Sequence, residues 1–209
     1  MKQPLPQRKS IRLRNFDYSS QGLYFITICI HNRLCLLGDI INGKMILNNA
    51  GRMINQWYLK TPYRFKNTTL DEYQIMPNHL HGIVIITGNG RTHGSAPTDN
   101  KTNHVAIPVG VDPCVDPNNP CANPKQYRQQ QTLFKTIRWF KTMATNNYIR
   151  NVKTKNWKPF NKRLFQRNYF EHIIRNENDL NEIREYIKNN PQTWDRNRNN
   201  PAKSGLANK

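Results

Sequence analysis

Residues 73–86 read Tyr-Gln-Ile-Met-Pro-Asn-His-Leu-His-Gly-Ile-Val-Ile-Ile, and this stretch decides the fold. The run that follows the proline is rich in β-branched residues, which favours a strand over 79–87, and similar signals predict a strand over 68–76. On a strand, residues two apart point to the same face, so His79 and His81 lie side by side. Two such imidazoles suit one divalent metal ion. Ordinary half-buried histidines give the same short pattern. Other features of the chain are therefore needed to distinguish a metal site from such histidines.

Further strands and helices extend the pattern in both directions. Residues 22–30 form a nearly continuous apolar run, which predicts a strand buried on both faces. Strands are also predicted at 38–47, as a short hairpin with an Asn-Gly turn, and at 165–175. Helices are predicted at 50–60 with Asn48 or Asn49 as the cap, at 132–150, and from Asn178 to the residue before Pro191. This order fits an α+β, ferredoxin-like sandwich with an antiparallel central sheet and helices packed on one face.

The predicted domain is single but interrupted. Residues 1–18 form a basic, polar arm, and residues 19–195 form a single folded domain. Within that domain, residues 88–130 are rich in Gly, Pro, Asn, Thr and Asp, a composition that cannot build a core, so we expect a disordered insertion. Residues 196–209 form a polar tail, which we expect to be frayed.

The charge of the chain predicts a polyanionic partner. Its 209 residues carry 32 Lys and Arg against 13 Asp and Glu, a net charge of +19. No acidic residue occurs from 117 to 170, whereas the same stretch holds twelve cations and several aromatic residues. A long block of one sign favours phosphate binding over an ordinary solvated surface, which usually mixes both signs. The aromatic rings could stack on single-stranded bases, although most of them are expected in the core.

The cysteines indicate a reducing compartment. Cys29, Cys35, Cys114 and Cys121 form no CxxC pair, and no signal peptide or long apolar run is evident. We therefore expect free thiols and a cytoplasmic protein. With DNA as its polyanionic partner, the protein would be associated with the nucleoid when it is bound.

The last predicted helix carries a second candidate motif. Tyr186 and Asn190 are four residues apart, so they share one helical face, and a phenol nucleophile and an amide ligand would arrive together. Taken alone, the motif has a simpler explanation, in which Tyr186 is a core aromatic and Asn190 is a helix cap.

Taken together, these motifs resemble the REP-associated tyrosine transposases, which are single-tyrosine transposases with a His-hydrophobe-His motif. The resemblance is carried by residues 76–82, 165–175 and 186–191 in that order, with support from 22–27 and from the helix that contains Gly51. It covers residues 10–194, apart from the insertion. The three motifs in this order are specific, whereas each of them alone is not.

The resemblance implies a fold, a reaction and a set of site residues. Such proteins nick single-stranded DNA at or beside a hairpin and join strands through a covalent 5′-phosphotyrosine. His79 and His81 match the paired metal ligands, Asn190 the third polar ligand, and Tyr186 the nucleophile. Two imidazoles and an amide without a thiolate favour Mg²⁺ or Mn²⁺. The partner would be single-stranded or hairpin DNA, bound by a monomer or a homodimer without membrane attachment.

Other residues and other functions remain open. Tyr169 is a competing nucleophile, predicted on a strand without an amide at helical spacing. A phenol must lose its proton before it attacks, and the sequence shows no clear general base. The alternatives are a non-catalytic, domesticated hairpin-binding protein, a replication initiator or relaxase, and a protein that uses its histidines only for folding. The residues expected to bind DNA are Arg12, Arg14, Lys135, Arg138, Lys141 and Arg167.

Overall fold

The structure is a computed structural model, and it describes residues 21–87 and 132–203, without the side chains of Thr132 and Lys203. The predicted basic arm, with Arg12 and Arg14, lies outside the described residues, as does the 88–130 insertion. The strands are β1 (Gly22–Cys29), β2 (Gly38–Ile41), β3 (Lys44–Leu47), β4 (Thr68–Met76), β5 (His79–Ile86) and β6 (Phe170–Ile174). The helices are α1 (Asn49–Leu59), α2 (Thr61–Arg64), α3 (Thr132–Lys155) and α4 (Glu177–Asn189), with 3-10 turns at His31–Arg33, Trp194–Arg196 and Pro201–Lys203.

Four strands form an antiparallel sheet in the order β4-β5-β1-β6, and β2 and β3 pair as a separate hairpin. In this order β5 lies between β4 and β1, and all neighbouring strands are antiparallel. The predicted α+β class and antiparallel central sheet are therefore confirmed, with the strand order of a ferredoxin-like sandwich.

The two faces of the sheet bury different side chains. Tyr24, Ile26 and Ile28 of β1 belong to the larger apolar cluster, which also contains the buried residues of α1 and α3. Helices α1 and α3 thus pack together on one face, as the sequence predicts. The alternate residues of β1, Leu23 and Phe25, belong to a smaller cluster on the opposite face, and α4 contributes its buried apolar residues to that cluster.

Helix α4 is therefore attached to the sheet by a smaller apolar contact than the other two helices. Among the described residues, its cluster holds six buried members, against twenty-one in the cluster of α1 and α3. Since the burial of one large aliphatic side chain contributes about 1.5–3 kcal/mol, α4 is held by only a fraction of the hydrophobic energy that holds α3. The site described below lies on this face.

Local signals in the sequence account for the turn and the helix start near the hairpin. Asn42 and Gly43 have φ angles of 51° and 71°, which suits the two-residue turn that connects twisted antiparallel strands. The side chain of Asn48 accepts a hydrogen bond from the Gly51 amide at 2.9 Å, so Asn48 caps α1.

Several element boundaries differ from the sequence prediction. The last strand begins at Phe170 and not at residue 165, since Phe165 forms only an isolated bridge with Ile30. The side-chain amine of Lys141 binds the backbone carbonyls of residues 166 and 167, and the Gln166 amide donates to the Cys29 carbonyl at 2.9 Å. Helix α3 extends to Lys155, and α4 begins at Glu177 because Asn176 accepts a hydrogen bond from the Asp179 amide and caps it.

The chain beyond Arg196 is tied down in its described part, unlike the frayed tail expected from residue 196. The carbonyl of Arg198 accepts a hydrogen bond from the Arg33 guanidinium at 2.9 Å, and the carbonyl of Asn199 accepts one from the Asn78 side chain at 2.8 Å. Within 21–87 and 132–203, no helix has the length and apolar character needed to cross a membrane.

Candidate functional site

The two histidines of β5 face each other on the α4 side of the sheet. His79 is paired with Cys29 and His81 with Thr27 on β1, so both imidazoles emerge from the same face, as the strand periodicity predicts. Their Nε2 atoms are 2.9 Å apart, and both residues are buried.

Asn78 fixes the orientation and the tautomer of His79. Its side-chain nitrogen donates to the carbonyls of Arg33 at 2.9 Å and Asn199 at 2.8 Å, so its Oδ1 is left as an acceptor. That oxygen lies 2.8 Å from Nδ1 of His79, which must therefore carry the proton. In the neutral imidazole, Nε2 of His79 then presents a lone pair towards His81.

His81 is held from the side of β1. Its Nδ1 lies 2.8 Å from the Thr27 hydroxyl, and its ring stacks on Phe25 with centroids 5.5 Å apart. The hydroxyl can donate or accept, so His81 can hold its single proton on either nitrogen. With the proton on Nε2, His81 donates to His79, and with the proton on Nδ1, both Nε2 lone pairs are free to bind a cation.

Both imidazoles are neutral at ordinary pH. Burial, with a smaller contribution from the nearby Arg33 charge, lowers the pKa of His79 from 6.5 to about 3. Burial also lowers the pKa of His81 well below its usual value, with added repulsion from His79 and Arg198. Protons therefore do not compete with a metal ion for this pair near neutrality.

Tyr186 reaches this pair from α4. Its hydroxyl lies 3.4 Å from Nε2 of His81, and its ring packs edge-on against Phe25 at 6.0 Å and against His81 at 5.3 Å. The residue is nevertheless 48% exposed. Tyr186 and His81, which the sequence analysis assigns to one site, are 105 positions apart in the chain and are neighbours in the fold. The Tyr186 side chain is also partly exposed to solvent.

Asn190 lies one turn beyond Tyr186, at the C-terminal cap of α4, and is 1% exposed. Its Oδ1 accepts a hydrogen bond from the Asn197 side chain at 2.9 Å, while its buried Nδ2 has no hydrogen-bond partner among the described residues. The Asn197 Oδ1 accepts from the Asn199 amide, which fixes the direction of this contact. A carbonyl oxygen has two lone pairs, so one on Asn190 remains for a further partner.

Ion pairs hold α4 against β4. Arg184 donates twice to one carboxylate oxygen of Asp71, at 3.0 and 2.6 Å, and Lys188 lies 3.4 Å from Glu72. Both acids stand where the register between β4 and β5 shifts, between Leu70 and Tyr73. Partly exposed pairs are worth about 0.2–1 kcal/mol each, so they orient α4 more than they stabilise it.

The predicted DNA-binding residues lie apart from the histidine pair. Lys135, Arg138 and Arg167 are exposed on α3 and on the segment before β6. Lys141 is different, because its amine binds the carbonyls of Gln166 and Arg167, and burial lowers its pKa to about 8. It therefore holds the chain rather than offering a free charge.

Tyr169, the competing nucleophile, does not join the histidines. It precedes β6 instead of lying on it, and it packs against the larger apolar cluster on the α1 and α3 face. Its neighbour Phe170 points to the other face, where its ring meets Phe25 at 6.3 Å.

Three residues of the site were not identified from the sequence. Asn78 stands inside the histidine motif, and its position next to His79 could have signalled an orienting role. Thr27 could have been found only from the register between β1 and β5. Trp194, whose ring lies 5.9 Å from that of His79, comes from a turn that shows no local signal.

The site is thus a neutral histidine pair on a sheet, with a tyrosine presented from a separately attached helix. The chain is 36% identical over 191 residues to a protein of Haemophilus influenzae that is described only as uncharacterized, and the alignment covers 90% of each. The chain belongs to the family of that protein. No protein-family model matches the chain.

Among solved structures, the chain is similar to a REP-associated tyrosine transposase bound to a REP hairpin. The similarity covers 94% of this chain and 75% of the other, with a TM-score of 0.43 and 15% identity. Such values are too low to transfer a site or an activity, so the fold described above rests on this chain's own topology.

Proposed function

We propose that this protein is a metal-dependent enzyme that nicks single-stranded DNA at or near hairpins and transfers the strand through a 5′-phosphotyrosine on Tyr186. One observation carries the proposal: the Tyr186 hydroxyl lies 3.4 Å from Nε2 of His81, which itself lies 2.9 Å from Nε2 of His79. These are the three groups that the motif resemblance assigns to nucleophile and metal ligands.

The donor set fits a divalent ion. The Nε2 atoms of His79 and His81 lie 2.9 Å apart on the same face of the sheet, so both could bind one divalent ion. The proton on Nδ1 of His79 leaves its Nε2 ready to bind, and His81 needs only to move its proton towards Thr27. Asn190 would add an oxygen through its remaining lone pair. These three residues would hold Mg²⁺ or Mn²⁺, which supplies charge neutralisation at the scissile phosphate.

The residues of the chain account for the remaining chemistry. The Tyr186 oxygen attacks phosphorus, a tyrosine O–P bond forms, and the bond from phosphorus to the 3′ oxygen breaks. The departing 3′ oxygen takes a proton and becomes a hydroxyl, while the phenol proton passes to water at the exposed ring. A second 3′ hydroxyl can reverse the step and join two strands. Phe25 and His81 hold the phenol ring in place, which lowers the entropy cost of attack.

A covalent-adduct experiment tests the proposal. Labelled single-stranded hairpin libraries are incubated with the protein and Mn²⁺, adducts are resolved on denaturing gels, and the modified tyrosine is mapped. Tyr186→Phe keeps the ring packing and should form no adduct, whereas Tyr169→Phe should retain it. An adduct mapped to Tyr169 would overturn the assignment. Wild-type protein that binds hairpins but forms no adduct would instead indicate a non-catalytic hairpin-binding protein.

The ligand roles need a readout other than activity. Mn²⁺ binding is measured by titration followed by electron paramagnetic resonance. The dissociation constant for Mn²⁺ should be larger in His79→Ala than in wild type. It should increase less in Asn190→Ala, because water replaces an amide more easily than an imidazole. Asn189→Ala is the matched control, since this neighbouring asparagine is exposed. Equal Mn²⁺ binding in wild type and His79→Ala would refute the metal site.

A further inference from the structure

A groove runs along α3 on the face of the sheet opposite the histidine pair. It has a volume of about 640 Å³ and lies between α3 and residues 160–169, and we call it the α3 groove. Its lining includes the side chains of Arg138, Lys162, Arg163 and Arg167, and no acidic residue among the residues that the structure describes. The described acidic residues of the last helix, by contrast, lie on the other side of the sheet.

The floor of the α3 groove is apolar and partly aromatic. Phe134, Phe160 and Ile149 line it with part of their side chains exposed, and the walls add hydroxyl and amide groups such as those of Thr145 and Gln166. A duplex presents its phosphates outward and buries its bases, so it cannot use an apolar floor. An unpaired strand can place phosphates on the cations and bases on the rings.

The α3 groove leads towards the proposed catalytic face. Tyr169 lines the groove, and the next residue, Phe170, projects to the opposite face and is 42% exposed. The Phe170 ring meets Phe25, which in turn contacts Tyr186. A strand in the groove can therefore pass around the edge of β6 and approach Tyr186 across an exposed aromatic ring.

We propose that the α3 groove binds a single-stranded DNA segment that flanks the scissile phosphate, with phosphates on Arg138 and Arg167 and bases on the apolar floor. The identification of DNA rests on the proposed function. Lys141 acts as a positioning residue, because its amine fixes the backbone of residues 166 and 167 in one wall of the groove.

The test measures binding alone. A short fluorescein-labelled oligothymidylate is titrated in EDTA, so the result does not depend on nicking. Arg138→Gln with Arg167→Gln should weaken binding about 20-fold at 0.1 M salt and lower the slope of log K against log salt by about 1.4, since each phosphate contact on a single strand contributes about 0.7. Arg150→Gln with Lys155→Gln removes the same charge from exposed positions of α3 outside the groove and should cost less than threefold.

A charge-neutral pair of variants separates shape from charge. Thr145→Trp fills the α3 groove and should weaken oligothymidylate binding at least tenfold, whereas Thr154→Trp, on the same helix but outside the groove, should not. Circular dichroism confirms that each variant is folded, and the arginine pair decides the matter if Thr145→Trp does not fold.

Equal weakening by the groove and control pairs would overturn the proposal, as would equal competition by a blunt duplex. The adduct experiment reports separately on the proposed function. If the groove binds oligothymidylate but no adduct forms, the proposed catalysis is refuted and the proposed DNA-binding groove is retained. If an adduct forms but the groove variants bind oligothymidylate as wild type does, the groove is refuted and the catalysis is retained.

Discussion

Acid should destabilise the metal-free protein through its buried histidines. Burial lowers the pKa of His79 from 6.5 to about 3, so the unfolded chain binds a proton between these values that the folded protein does not. Stability therefore rises with pH wherever the unfolded state binds more protons. The stability associated with neutral His79 is fully present above pH 6.5 and is lost progressively as the pH falls towards 3. His81 shifts in the same direction and adds to the effect.

The size of the effect follows from the His79 shift. Between pH 7.5 and pH 5.0, the unfolded histidine becomes almost fully protonated while the folded one stays neutral. This difference lowers the free energy of unfolding by about 2 kcal/mol for His79 alone. Urea denaturation in EDTA at the two pH values measures it, followed by circular dichroism.

A variant isolates the contribution of His79. In His79→Gln, the pH dependence of the free energy of unfolding should shrink by about 2 kcal/mol relative to wild type. His172→Gln removes an exposed histidine that contacts Asp179, and serves as the control. The reasoning is refuted if His79→Gln loses as much stability in acid as wild type does, because the imidazole would then be solvated and free to protonate in the fold.

Three further substitutions test the supports of the site. Gly82→Ala should destabilise the protein by about 1–3 kcal/mol, because the new Cβ would collide with the Tyr58 hydroxyl, and Tyr58→Phe should recover part of this loss in a thermal melt. Lys141→Met should speed amide hydrogen exchange in the segment before β6, since two backbone carbonyls lose their donor; unchanged exchange would contradict this. Asp71→Asn should change global stability by less than about 1 kcal/mol but speed exchange in α4, because it weakens the Arg184 contact; unchanged α4 exchange would argue that packing alone orients the helix.

The fold could be predicted from local signals because those signals agree with the packing. Residues 22–30 carry a nearly continuous apolar run and residues 79–87 are rich in β-branched residues, and both segments become central strands of the sheet. The Asn-Gly pair at 42 and 43 adopts the turn that its conformational freedom favours. Boundaries failed where a distant side chain decided them. The segment before the last strand is held by Lys141, a side chain on another element, which binds two of its backbone carbonyls.

The candidate site could likewise be predicted only in part from local sequence signals. The same-face placement of His79 and His81 follows from strand periodicity, and that of Tyr186 and Asn190 follows from helical periodicity. No local sequence signal predicts that α4 packs on the face of the sheet that carries the histidines. The position of α4 depends on which face of the sheet the smaller apolar cluster forms. The roles of Asn78 and Thr27 depend on hydrogen bonds between distant segments, and only the structure reveals them.

The distribution of charge suggests why the proposed nucleophile stands on its own helix. Helix α4 carries Glu177, Asp179, Glu182 and Glu185 against two cations, whereas the described charged residues that line the α3 groove are all cations. A strand held only by its phosphates would prefer the groove and avoid the acidic helix. It would approach Tyr186 only where an ion at the histidine pair offsets that repulsion. Under the proposed function, binding and cleavage would therefore require different cations, the arginines of the groove for one and the bound metal for the other. Strand binding in EDTA together with adduct formation only in Mn²⁺ is the pattern that this separation demands.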